Sequence, residues 1–172
     1  MKNLVKKIIL LILIFIYGHS HPHTFIEVKP TIEIKNEKIN KLHVKWILDE
    51  MTSMMLITEL DEDANGKFNK SENTYIYKNY FSSLENQNFY MKILSNKNNV
   101  SINPKNFKAS IKNDKLIYSF DIEQKINTKN LKIEFKDKDL FVGMMLEKDY
   151  IKLSGVDKSK IEELKTKIFG VN

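Results

Sequence analysis

From Thr24 to Ile34 apolar and polar residues alternate, with Ile26, Val28, Ile32 and Ile34 on one parity, the period of a half-buried strand. Asn36-Glu37 interrupts the alternation, and Leu42, Val44, Trp46 and Leu48 then resume it, so the first two strands read as a hairpin. Pro30 has no N–H to give, which predicts an edge or a bulge at that point of the first strand. The period changes after Leu48. Met51, Met54, Met55 and Ile57 recur at roughly helical spacing over residues 50–60, and Tyr75, Ile76, Tyr80 and Leu84 do so over 71–84, predicting two helices around a polar stretch. Short strands follow at 89–94, 107–111, 116–122, 131–135 and 141–146, separated by Asn-rich turns at 96–99, 113–114 and 127–130. A last helix is expected after Gly155, capped by Asp157 or Ser159, with Ile161, Leu164 and Ile168 on its apolar side. The predicted fold class is α+β: a mostly antiparallel sheet with a helix-loop-helix insertion over about 50–85 and a C-terminal helix.

The amino terminus has a separate logic. Lys2, Lys6 and Lys7 precede an unbroken apolar run from Ile8 to Tyr17, and Gly18 and Ser20 supply the small residues a signal peptidase needs. Residues 1–20 therefore read as a cleaved signal peptide and 21–172 as a single periplasmic domain. Removing the three lysines lowers the formal charge of +6 to +3. All 28 basic residues are lysine, so bidentate phosphate recognition by arginine is absent and nucleic acid is not an expected partner. With no cysteine, disulfides, thiolate metal sites and cysteine nucleophiles are excluded. Any metal must be held by other donors.

The strongest chemical signal is Asp61-Glu-Asp63-Ala-Asn65-Gly66-Lys67-Phe68-Asn69-Lys-Ser-Glu72, which matches the twelve-residue EF-hand loop. Calcium asks for about seven oxygens at ~2.4 Å. Side chains of Asp61, Asp63 and Asn65, the Lys67 carbonyl, a water at Asn69 and a bidentate Glu72 can supply them. Gly66 permits the sharp turn, and Phe68 anchors the loop in the core.

A second candidate is His21-Pro22-His23, which cleavage after Ser20 would place at a free amine. Two imidazoles and an amine suit Zn, Ni, Co or Cu(II), and His43, with Asp49 and Glu50 at the end of the same strand, is a candidate to complete that transition-metal site. No G-x-S-x-G, H-E-x-x-H or Cys–His arrangement occurs, so an enzyme is not expected.

His-Pro-His-Thr-Phe-Ile directly after a signal peptide, then a W-x-x-D-E segment at Trp46, Asp49 and Glu50, resembles a bacterial family described as the periplasmic component of an uncharacterised ABC-type transport system. Genes of that family commonly neighbour nickel/cobalt-type or zinc permeases. The resemblance implies a periplasmic accessory that captures zinc or nickel/cobalt at His21 and His23 and hands it to an inner-membrane metal permease. Among the departures from that family's pattern, Asp137-Lys-Asp139-Leu-Phe141 stands where an Asp-Pro-Thr-Tyr-like segment is expected. The residues alone leave a second possibility, a calcium-dependent structural or interaction module with no transition-metal role.

Overall fold

The computed structural model describes residues 24–171, so the expected signal peptide and the His21 and His23 ligands lie outside the described residues. Strand β1 (Thr24–Lys35) and strand β2 (Lys38–Leu48) form the expected antiparallel hairpin. Its turn residues Asn36 and Glu37 both take positive φ, 50° and 58°, as a two-residue hairpin turn with native twist requires. The inward parity is buried as the alternation predicts: Ile26, Val28, Ile32 and Ile34 from β1, and Leu42, Val44, Trp46 and Leu48 from β2.

Helix α1 (Glu50–Leu60) and helix α2 (Lys70–Ile76) flank the loop. The second helical pattern does not continue as one helix to residue 84. It loosens to a π turn at Tyr77–Phe81 and tightens to a 3₁₀ stretch at Ser82–Tyr90. The π turn delivers Phe81 to the core, where its ring centroid stands 4.4 Å from Phe107 and 5.0 Å from Phe120. Asn88, Phe89 and Tyr90 are then left-handed in succession, at a cost of about 1–2 kcal/mol per residue. Burial of Phe89 helps to offset that strain.

The remaining strands are β3 (Met91–Ser95), β4 (Asn98–Val100), β5 (Lys105–Lys112), β6 (Lys115–Ile122), β7 (Ile126–Asn127), β8 (Lys132–Phe135), β9 (Val142–Met145) and β10 (Lys152–Ser154), followed by helix α3 (Ile161–Phe169). The larger sheet runs β10-β1-β2-β6-β5, with β7 extending the β2 ladder and β9 pairing with β1; the smaller sheet runs β4-β3-β8. The class is α+β, mostly antiparallel, as expected. Two strands depart from the hairpin pattern, because β9 and β10 both join β1 in parallel. They leave Val28, Lys29 and Pro30 between them, so the proline sits where β1 has no ladder partner on that side. The chain returns to β1 closely at Gly155, whose φ is +78° and where an added Cβ would stand 1.9 Å from the Ile34 carbonyl oxygen. Trp46 is the centre of the core, edge-on to Phe120 at 5.1 Å and flanked by Phe81 and Tyr90.

Candidate metal centre

The loop between α1 and α2 is folded by its own carboxylates. Asp61 ends α1, and its two oxygens accept from the backbone N–H groups of Asn65 at 3.2 Å and Gly66 at 2.8 Å. Gly66 takes φ +76°, a conformation that costs a side-chain-bearing residue extra strain. Asp63 accepts from Asn65 at 3.3 Å. Across the loop, Asn69 caps α2 in a reciprocal box: its side chain accepts from the Glu72 N–H at 3.0 Å, and its own N–H donates to Glu72 Oε2 at 2.7 Å. Glu72 Oε1 reaches back to the N–H of Glu62 at 3.0 Å. The two ends of the loop are thus closed on one another.

One ligand oxygen each from Asp61, Asp63 and Glu72 lies within 4.8 Å of the others, the only such group of acidic or imidazole ligands among the described residues. Asp61 and Glu72 are buried while Asp63 is exposed, so a cation would meet two preset carboxylates and one at the mouth. Phe68 is half-buried against the core, as its loop position predicts. Lys67, Asn65 and Asn69 are exposed, leaving the Lys67 carbonyl and the Asn65 amide as the further oxygens that could complete a calcium shell.

Of the candidate transition-metal ligands, His21 and His23 lie outside the described residues, and His43, Asp49 and Glu50 do not converge on one another, contrary to the expectation from sequence. His43 and Asp49 are six residues apart along extended chain, roughly 20 Å at strand rise. Asp49 is instead the N-cap of α1, accepting from the N–H of Thr52 at 2.9 Å, the hydroxyl of Thr52 at 2.8 Å and the N–H of Phe25 at 2.8 Å. Burial pushes its carboxyl up, but these hydrogen bonds outweigh burial and hold it below the usual range. Its oxygens are committed to the Thr52 and Phe25 donors. Glu50 is exposed in the first turn of α1, where it complements the helix dipole.

His43 turns to a residue that the sequence did not single out. Register places His43 directly across from Asp121 on β6, and Nδ1 lies 2.7 Å from Asp121 Oδ1. Asp121 is 5% exposed and is also held by Lys41 at 2.9 Å and by the Asn106 amide at 3.0 Å. Burial raises its carboxyl, and the hydrogen bonds from Asn106, Lys41 and His43 more than reverse that shift. His43 also lines a cavity of about 310 Å³, together with Lys29, Lys45, Asp149, Tyr150 and Lys152. Only cross-strand register reveals this network, and register over 78 residues of separation is not written in local spacing.

The family described as "Protein of unknown function (DUF1007)" matches residues 7–165. An uncharacterized protein of Haemophilus influenzae is 26% identical over 151 residues, covering 84% of this chain and 69% of that protein. No solved structure matches the chain.

Proposed function

This chain belongs to the DUF1007 family, and we propose that it acts as an exported calcium-binding module, with the loop from Asp61 to Glu72 as its cation site. The observation that carries this reading is the convergence of Asp61, Asp63 and Glu72 within 4.8 Å inside a segment with EF-hand spacing at each diagnostic position. Calcium would replace the backbone donors that now share these carboxylates and tie the end of α1 to the start of α2. Calorimetric titration tests it: wild type takes up Ca²⁺, and Glu72→Gln binds about tenfold or more weakly because Glu72 supplies two of the oxygens. Glu72 also caps α2, so Asp63→Asn is the companion variant; Asp63 is exposed and bonds only Asn65, and its loss should weaken binding without unfolding the loop. Equal heats for wild type and both variants would leave the loop a structural turn.

A second reading extends the first: a metal-handling accessory of an inner-membrane permease, with zinc or nickel/cobalt captured at His21 and His23. The observation in its favour is the start of β1. Phe25 is tied to Asp49 through both backbone and side chain, and Thr24 to Thr52 at 3.3 Å, so the histidines would immediately precede a fixed point of the fold. His21→Ala with His23→Ala should then abolish Zn²⁺ or Ni²⁺ binding and leave thermal stability unchanged. Retained affinity in the double variant would place the ion elsewhere.

A further inference from the structure

Helix α1 is turned opposite to the side its methionines suggest. Its inward residues are Thr52, Ser53 and Leu60, with Leu56 and Ile57 half-buried beside them. Ser53 is fully buried and bridges the sheet: its hydroxyl donates to the Leu48 carbonyl at 3.1 Å and accepts from the Leu116 N–H at 3.0 Å. Thr52 is held by Asp49 on the same side. These short polar anchors fix the rotation of the helix about its axis. Met51, Met54 and Met55 consequently point outward, 68%, 65% and 61% exposed, the most exposed large apolar side chains among the described residues. Core packing does not account for them.

Their spacing is i, i+3, i+4, so Met51 neighbours both Met54 and Met55 on the helix surface, about 5–6 Å away at Cβ, with the latter two flanking it on either side. Each ends in a polarizable thioether on three rotatable bonds, so the sulfurs can close on a common point without moving the backbone. Thioether sulfur is a soft donor that selects Cu(I) and is a poor ligand for Ca²⁺, Mg²⁺ or Zn²⁺. In a chain without cysteine, methionine is the only sulfur available. We propose that Met51, Met54 and Met55 form a thioether site for a soft monovalent cation, Cu(I) or its analogue Ag(I), on the outer face of α1. The site is independent of the calcium loop, since hard oxygen and soft sulfur donors choose different ions.

The test uses the full chain with ¹³C-labelled methionine methyl groups and Ag⁺ as a redox-stable probe. Titration at about pH 5 suppresses binding by ordinary imidazoles while thioethers still bind. The methyl resonances of Met51, Met54 and Met55 should shift together and saturate, while buried Met91 stays in place. Replacing all three by leucine keeps helix propensity and apolar area but removes sulfur, so Ag⁺ affinity should fall at least tenfold with the thermal midpoint unchanged. Should the triple variant fail to fold, Met54→Leu alone should lower affinity measurably. Unmoved methyl resonances, or leucine variants that bind Ag⁺ as tightly as wild type, would overturn the site and leave the face as an apolar docking surface. Ca²⁺ must leave the three resonances where they are; displacement of Ag⁺ by Ca²⁺ would also overturn it.

Discussion

Two polar regions, the 61–72 loop and the His43–Asp121 row, differ in how their side chains come together. In the loop the carboxylates converge because they belong to twelve consecutive residues whose turns are set by Gly66 and the Asn69 cap. In the row, His43 meets Asp121 only because β2 and β6 pair in one register, and the acids that neighbour His43 in sequence are carried away along the strand. A tight loop gathers nearby residues around a point, whereas a strand spaces them out at about 3.3 Å each. The loop is therefore suited to hold a cation, whereas the carboxylate of the row is already shared by Lys41, His43 and Asn106.

The largest effect should come from the frame that both regions share. Trp46→Ala removes the ring packed against Phe81, Tyr90 and Phe120 and should cost roughly 3–5 kcal/mol in denaturant unfolding. A cost below about 1 kcal/mol would show that the hairpin does not depend on that packing.

Next comes Asp121→Asn, which leaves Lys41 and His43 without their shared carboxylate and should cost about 1–3 kcal/mol while Ca²⁺ binding is unchanged. Its pH dependence has a definite sign. Asp49 and Asp121 have carboxyls held below their unfolded values, so their stabilisation is present above about pH 4 and is lost as pH falls through the folded values. Thermal midpoints measured from about pH 7 downward should drop steeply in acid for wild type and less steeply for Asp121→Asn.

The smallest effect is expected at Gly66. Alanine there meets no atom within 4 Å, so the cost is only that of φ +76°, about 1 kcal/mol, with calcium affinity reduced through the strained turn. An alanine variant as stable as wild type would mean that the loop relaxes away from this conformation.

Much of this fold was legible wherever a local period met a local turn. The alternation around Val28 and Trp46, the paired left-handed residues at Asn36-Glu37 and Asn113-Asp114, the helix from residue 50 to 60 and the calcium-type loop all follow from neighbours in sequence. What was hidden depends on distant partners. The parallel addition of β9 and β10 to β1 is set by chain return near Gly155, and the outward turn of Met51, Met54 and Met55 by the hydrogen bonds of Ser53 to Leu48 and Leu116. The helical period after Ser71 gave no sign that the helix loosens at Tyr77, because the driving force is the seat that Phe81 finds among Phe107, Tyr118 and Phe120. The pairing of His43 with Asp121 rather than Asp49 belongs to the same class.

The contrast between loop and row is tested most directly by amide ¹H–¹⁵N spectra recorded through a Ca²⁺ titration. Saturable shifts are expected at Asn65, Gly66 and Glu72, whose N–H groups bond the loop's own oxygens, with His43 and Asp121 unmoved. Shifts centred on His43 and Asp121, or a loop that stays silent at millimolar Ca²⁺, would contradict it.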